Sequence, residues 1–162
     1  MFVQPLSEEA FRPYGWFLEK SVRSLPFHNA DIDFWEEHIF ETGAADAETQ
    51  LLRVNYRNQR REVESLEMHR LTQQMVIPLT GDIVQIVAEP NLTNLQAFRV
   101  SVGEGICMRA GCWHTTRVDT VEVRCFMLTR RSTTVDLISH LTTGSELRES
   151  AIAAIPRTVL AF

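Results

Sequence analysis

The sequence predicts an all-β protein whose strands form an antiparallel barrel or sandwich. From Gln50 onward, short runs of alternating apolar and polar residues follow one another. Turn residues separate these runs at roughly the 8–12-residue spacing typical of such folds. The clearest turn is 80–82, Thr-Gly-Asp, which lies between two apolar runs and predicts a hairpin. With 162 residues, the chain is expected to form one domain spanning 1–162.

Local signals define the other elements. Ser7 is a favourable helix N-cap, and Pro13 and Gly15 limit the helix that follows to about one turn. A second helix is predicted at 145–155, and the apolar tail at 159–162 is expected to dock on this barrel or on a second subunit. Alternation predicts strands at 52–57, 63–69, 74–79, 83–88, 95–100, 105–108, 113–118 and 121–129.

Composition argues against several classes of partner. The net charge is −5 and no Lys/Arg-rich run is present, so nucleic acid is not expected as a partner. No stretch approaches the ~20 apolar residues that span a bilayer, so no membrane partner is expected, and the first residues do not resemble a signal peptide. The 3 cysteines are odd in number, which indicates reduced thiols and a cytoplasmic protein.

The residues with the clearest chemical signal are Glu67, His69, Gln74 and His114. Side chains alternate faces along a strand, so Glu67 and His69 point the same way. Gln74 starts the next strand and can face back toward them, and His114 follows a turn at Gly111 on a separate strand. Two imidazoles, a carboxylate and an amide oxygen that converge inside a barrel suit a divalent metal or a polar small molecule.

The spacing of these residues resembles the two motifs of the cupin superfamily, G-x5-H-x-H-x3,4-E-x6-G and G-x5-P-x-G-x2-H-x3-N. Glu67 stands in place of the first histidine, and Gln74 stands in place of the glutamate. The matching residues are His69, His114, Gly81, Gly105 and Gly111. The resemblance implies a cupin-type antiparallel β-barrel, also described as a double-stranded β-helix or jelly roll, with short peripheral helices.

Within the cupins, the chain resembles the ureidoglycolate lyase family. The residues that carry this resemblance are Leu66-Glu67-Met68-His69, Gln74, Ile77-Pro78 and Trp113-His114, preceded by Pro5 to Phe11 and by Phe27-His28-Asn29. The resemblance implies cleavage of (S)-ureidoglycolate to glyoxylate and urea in allantoin and purine degradation. It also implies a nickel ion or another divalent metal, and a homodimer. The ligands themselves leave manganese, zinc and iron open as well.

Five positions depart from the family pattern. Thr115 and Thr116 replace a His-Pro pair, and Cys125 and Arg130 replace two aspartates. Tyr56 replaces an arginine. These changes do not affect the expected fold, but they leave the exact substrate open, because polar residues at a pocket edge select the ligand.

The residue roles follow from a lyase acting on a small hydroxy acid that carries a ureido group. The catalytic residues are predicted to be Glu67, His69 and His114. The metal ligands are predicted to be Glu67, His69, Gln74 and His114. The substrate-binding residues are predicted to be Arg53, Asn55, Gln74 and Trp113, although Trp113 could instead pack in the barrel wall, and Arg53 and Asn55 could face water. Two alternatives remain open, a non-catalytic cupin that binds a small carboxylate and a metal-dependent cupin enzyme of other chemistry.

Overall fold

A computed structural model describes residues 1–18, 27–28, 30–34 and 36–161. Two helices are described, α1 (Glu8–Phe11) and α2 (Arg131–Thr143). The strands are β1 (Val3–Pro5), β2 (Gly15–Leu18), β3 (Phe27–His28), β4 (Asp33–Phe34), β5 (Thr49–Tyr56), β6 (Glu62–His69), β7 (Gln74–Pro78), β8 (Ile83–Ala88), β9 (Gln96–Val100), β10 (Gly105–Met108), β11 (Trp113–Arg117), β12 (Val123–Arg130) and β13 (Ser150–Val159).

Two large sheets form the predicted cupin-type fold. The six-stranded sheet has the order β1-β9-β8-β11-β6-β13, and the five-stranded sheet has the order β2-β10-β7-β12-β5. Neighbouring strands pair antiparallel, except for β1 and β9, which pair parallel. The strands predicted at 83–88 and 105–108 have those bounds, and the other predicted strands differ by a few residues at their ends. The all-β prediction is therefore confirmed.

The inner core lies between the two sheets. Alternation along β8 sends Ile83 and Val87 into this inner cluster together with Phe98 and Val76. The helix α1 starts at its predicted N-cap, where the Ser7 side chain accepts a hydrogen bond from the Ala10 amide. Its last residue, Phe11, is fully buried against Phe98, with ring centroids 5.4 Å apart. The alternate residues of β8, on its opposite face, pack in a second apolar cluster.

That outer cluster packs against the other face of the six-stranded sheet. Its buried residues are Val63, Leu66, Val84, Ile86, Ala88, Ala97, Trp113 and Leu160. The sheet curls back on itself, because the Val3 amide donates to the Ala161 carbonyl and the Ala161 amide donates to the Met1 carbonyl, both at 2.9 Å. All six residues of β8 are buried, since this strand has an apolar cluster on each face.

The prediction of a helix at 145–155 is wrong. Helix α2 lies earlier and ends at Gly144, whose φ of 72° is the left-handed conformation that favours glycine. The strand β13 begins at Ser150, within the predicted helical segment, and pairs with β6. Pro156 is tolerated there because β13 is an edge strand whose register shifts between Ala154 and Thr158. Leu160 in the tail is buried on its own chain, and Phe162 lies outside the described residues.

The segment 36–48 packs on the turn between β6 and β7, just after His69, and reaches the start of α2. The Gln73 amide donates to the Glu41 carbonyl at 3.1 Å, and the Arg131 amide donates to the Glu48 carbonyl at 2.9 Å. A side chain at Gly43 would meet the carbonyl oxygen of Leu71 at 1.9 Å, so this position has no room for a Cβ. Among the described helices, none has the length and apolar character needed to cross a membrane.

Candidate active site and metal centre

Strands β6 and β11 place a carboxylate and two imidazoles on the inner face of one sheet. The antiparallel register sets His114 directly opposite Glu67. Their facing atoms, His114 Nε2 and Glu67 Oε1, are 3.5 Å apart. His69 lies two residues beyond Glu67 on the same face, and its ring centroid is 5.1 Å from that of His114. The predicted convergence of these three residues is therefore present in the structure.

The protonation of His114 is set by a backbone group. Its Nδ1 lies 3.0 Å from the Cys112 carbonyl oxygen, which can only accept, so Nδ1 carries the hydrogen. The lone pair of a neutral His114 is then on Nε2. This atom is buried, and within the described part of the chain it has no hydrogen bond of good geometry. A buried nitrogen lone pair without a partner is available to a metal or to a transferred proton.

His69 is held by hydrogen bonds on both ring nitrogens. The Gln74 amide nitrogen donates to Nε2 at 3.0 Å, so Nδ1 carries the hydrogen and donates to Ser150 Oγ at 3.0 Å. Burial and, to a smaller extent, the nearby His114 lower the pKa of His69 to about 4, even though Glu67 partly offsets them. His69 is therefore neutral at neutral pH, and its Nε2 lone pair accepts the hydrogen of the Gln74 amide.

Glu67 is the charged member of the site. Burial raises the pKa of this carboxyl, but the contact with His114 and the positive charge that each imidazole carries when protonated hold the pKa below its usual value. Its side chain is 35% exposed, whereas that of His114 is only 4% exposed. Glu67 is consequently ionised, and it lies on the side of the site that solvent and small molecules can reach.

These three residues fit a divalent metal. Their possible ligand atoms, one from each of Glu67, His69 and His114, all lie within 4.8 Å of one another. Two imidazole nitrogens and one carboxylate oxygen form a donor set that first-row transition metals accept readily. The unpartnered Nε2 of His114 supports this assignment. Gln74, the fourth predicted ligand, contacts His69 Nε2 through its amide nitrogen.

A neutral polar group borders this site, and the sequence analysis did not assign it a role. Tyr56 forms a side-chain hydrogen bond with Thr116, and Thr116 Oγ1 donates to Gln85 Oε1 at 2.9 Å. Burial raises the pKa of Tyr56 well above its usual value, and the Glu67 charge also raises it, so the phenol stays protonated. In the sequence, Tyr56 and Thr116 were recognisable only as departures from the family pattern. Their contact, between strands of different sheets, could not be predicted.

Three of the predicted substrate-binding residues lie elsewhere. Arg53 and Asn55 are exposed on β5, where they alternate with the inward residues Leu52 and Val54. Trp113 lies on the face of β11 opposite His114 and packs in the outer cluster, where its Nε1 donates to the Pro90 carbonyl at 2.9 Å. The structure thus brings Gln74 to the site but not these three side chains.

The family departures are distributed over several environments. Cys125 faces the inner cluster beside Val54, and burial raises its pKa to about 11. Thr115 accepts a hydrogen bond from Arg117 at 2.9 Å. Arg130, at the end of β12, donates to Ser132 at 2.7 Å. Within the Phe27-His28-Asn29 segment, Asn29 lies outside the described residues.

Ser150 is a site residue that sequence reasoning missed. It is fully buried, it begins β13, and it lies in register with His69. The prediction of a helix at 145–155 hid this pairing. Pro156 followed by the β-branched Thr158 and Val159 was the available signal for an edge strand.

The jelly-roll fold and its inward histidine–glutamate set define a cupin-type enzyme. The sequence model of the family described as ureidoglycolate lyase matches residues 1–147. The chain therefore belongs to the ureidoglycolate lyase family, and the family identifies it as a lyase.

Individual relatives agree with this assignment. A ureidoglycolate lyase of Burkholderia mallei (strain NCTC 10229) is 28% identical over 138 residues, which cover 80% of this chain and 81% of the relative. A ureidoglycolate lyase of Escherichia coli O1:K1 / APEC is 28% identical over 122 residues, covering 69% of this chain and 75% of the relative.

Among solved structures, the dTDP-6-deoxy-D-glucose-3,5-epimerase RmlC of Legionella pneumophila Philadelphia 1 aligns with a TM-score of 0.41 and 13% identity. The alignment covers 66% of this chain and 63% of the epimerase, so this chain spans less than two thirds of that protein.

Proposed function

We propose that this protein cleaves (S)-ureidoglycolate to glyoxylate and urea. The observation that carries the proposal is the facing pair of Glu67 Oε1 and His114 Nε2, 3.5 Å apart beside His69. Ureidoglycolate is a carbinolamide, so loss of its hydroxyl proton lets it collapse to an aldehyde and expel urea. The reaction needs one group that takes this proton and one that protonates the departing nitrogen. Membership in the ureidoglycolate lyase family supports this choice of substrate.

The two residues can share one proton. Glu67 is ionised and partly exposed, so its carboxylate can accept the hydroxyl proton of a bound substrate. His114 Nε2 is within reach of Glu67 and carries a lone pair, so it can receive that proton and deliver it to the leaving nitrogen. The hydrogen bond from Nδ1 to the Cys112 carbonyl holds the ring in place during this transfer.

The low pKa of Glu67 makes it a weak base, so the substrate hydroxyl must become more acidic. In a metal-bound form of the site, Glu67, His69 and His114 would hold a divalent ion in place of the shared proton, and that ion would lower the pKa of the substrate hydroxyl as it does that of bound water. Nickel is the ion that the family resemblance favours, and manganese, zinc or iron would suit the same ligands. His69, neutral and fixed by Ser150, acts as a ligand rather than as an acid.

The experiment is a direct assay of the purified protein with (S)-ureidoglycolate. We expect glyoxylate to form faster than by spontaneous decay, and addition of nickel or manganese after treatment with a chelator should restore the rate. The Glu67→Gln variant is the matched control. If glyoxylate forms no faster than spontaneously with either metal present, the proposed reaction is wrong.

A second candidate is a non-catalytic cupin that binds a small carboxylate. The observation that favours it is the uncharged group of Tyr56, Thr116 and Gln85 at the border of the site, two members of which replace residues of the family pattern. Glycolate at about a hundred times its dissociation constant would then add ~2.7 kcal/mol to the stability, with no turnover of any ureido acid. Turnover of ureidoglycolate excludes this candidate.

We further propose a cytoplasmic homodimer that acts on a small hydroxy acid. Exposed apolar residues on β13, Ile152 at 46% and Val159 at 52%, support association with a second copy. Three free, buried cysteines support a reducing compartment. Light scattering of the purified protein tests the dimer, and a monomeric mass contradicts it.

A further inference from the structure

We propose that Gln50 and Thr129 form the subsite that holds the ureido group of the substrate. The inference rests on the proposed function and deepens it, because it assigns one end of the substrate to a particular part of the barrel. Neither residue belongs to the histidine–glutamate set. Both lie on the five-stranded sheet, across the barrel interior from the strands that carry Glu67 and His114.

Register places the two residues in one row with Gln74. Thr129 on β12 pairs directly with Gln50 on β5. On its other side, β12 pairs with β7 as far as Leu128 and Met75, and Thr129 and Gln74 are the next residues beyond this last pair. The Gln74 amide in turn contacts His69 Nε2 at 3.0 Å. The row therefore begins at the candidate metal centre and extends away from it across two strands.

Alternation turns this row toward the interior. Thr129 follows Cys125 and Met127 at steps of two along β12, and both of those residues pack in the inner cluster. Gln50 precedes Leu52 and Val54 at the same spacing on β5, and these two pack against that cluster. Thr129 is only 3% exposed.

Two polar atoms of this row are buried without a partner. Gln50 Oε1 and Thr129 Oγ1 both lack a hydrogen bond within the part of the chain that the structure describes. Buried polar oxygens almost always have partners, and leaving them unpaired destabilises the fold. Two such atoms on adjacent strands, next to a residue that contacts His69, indicate a place where a ligand supplies the missing hydrogen bonds.

The chemistry of the two atoms selects the ureido end of the substrate. Gln50 Oε1 can only accept, so it requires an N–H or O–H donor. The Thr129 hydroxyl can donate to a carbonyl and can also accept. A ureido group presents N–H donors and a carbonyl oxygen side by side, whereas a carboxylate presents only acceptors. The row would therefore bind the ureido group and leave the carboxylate and hydroxyl for the centre at Glu67 and His114.

Binding of hydantoate, which is ureidoglycolate without the hydroxyl and so cannot lose urea by this route, tests the subsite without turnover. Titration calorimetry would compare the wild type with Thr129→Val and Gln50→Met, two substitutions that nearly preserve side-chain volume. The control is Thr49→Val, at an exposed position next to Gln50 on β5. We expect each of the first two variants to weaken hydantoate binding about tenfold. Their melting temperatures should stay equal or rise, because each removes a buried unpaired oxygen. Binding of glycolate, which lacks the ureido group, should be unchanged.

Several outcomes would overturn the subsite. These are no binding of hydantoate to the wild type, equal binding by all variants, or lower melting temperatures with unchanged binding, which would assign the two residues a structural role. The glyoxylate assay separates this failure from failure of the proposed reaction. Weaker hydantoate binding in a protein that forms no glyoxylate supports the subsite and removes the reaction. Turnover of ureidoglycolate with an unchanged KM in both Thr129→Val and Gln50→Met supports the reaction and removes the subsite.

Discussion

Ser150 Oγ lies 3.0 Å from His69 Nδ1, although the two residues are 81 positions apart in the chain. The contact forms because β13 pairs with β6 and brings Ser150 directly opposite His69. A hydroxyl on Nδ1 fixes the ring orientation and leaves Nε2 directed toward the other ligands. The edge strand thus supports the candidate metal centre as well as the outer cluster.

Loss of this hydroxyl should weaken metal binding without disrupting the barrel. Residues that orient a ligating histidine typically change metal affinity by about 10–100-fold. We therefore expect Ser150→Ala to bind nickel at least about tenfold more weakly than the wild type by titration calorimetry. Ser139→Ala in α2 is the matched control, since that serine contacts Ser145 outside the site. Equal nickel affinity in Ser150→Ala and the wild type would show that His69 does not depend on this contact.

The charge of Glu67 should matter more than its shape. Glu67→Gln keeps the size of the side chain but removes the ionised oxygen that faces His114. We expect the rate of glyoxylate formation to fall by ~100-fold or more. Metal content, measured on the same preparation, shows whether the loss comes from the missing base or from a missing ligand. Wild-type turnover in this variant would remove Glu67 from both roles.

The depressed pKa of His69 should make the metal-free protein less stable in mild acid. The folded pKa is about 4 and the usual value is 6.5, so as pH falls the unfolded chain binds this proton first. The free energy of unfolding should therefore fall between pH 6.5 and pH 4, by about 3 kcal/mol from this group alone. Urea denaturation of chelator-treated protein measures the loss. His69→Gln should lose less stability over the same interval, and parallel curves for the two proteins would contradict the prediction.

The stability of the outer cluster should depend on Leu160. This side chain is 1% exposed and packs among Trp113, Leu66 and their neighbours. Truncating a buried leucine leaves a cavity and costs about 2–5 kcal/mol. We expect Leu160→Ala to lose stability in this range by chemical denaturation, while Val159→Ala, at a position 52% exposed, should change little. Similar losses in both variants would mean that the tail is not selectively anchored by Leu160.

The sequence predicted those parts of the molecule whose signals are local. Glu67 and His69 share a strand, so alternation alone placed them on one face, and the motif spacing brought His114 to them. The helix predicted at 145–155 failed because an alanine-rich run that lies in an edge strand has no distinctive period.

Contacts between distant strands were not predictable from spacing. Tyr56 meets Thr116 because the two sheets face each other, and Thr129 pairs with Gln50 through a register that only the assembled sheet defines. The faces of Arg53, Asn55 and Trp113 were left open in the sequence for the same reason. Which side of a strand faces a pocket depends on where the second sheet packs, and in this protein the six-stranded sheet packs on both sides.

The apolar clusters on both faces of β8, which pairs with β11, have a consequence for motion. Backbone amides in a wall packed on two sides exchange with solvent only when a large part of the fold opens. The amides of Val87 and His114, which are partners in this wall, should therefore be among the slowest to exchange. The strand β5 lies at an edge and has exposed residues at every second position. If the barrel adjusts to ligands of different length, we therefore expect β5 to move. The imidazole of His114, held in the central wall, should keep its position.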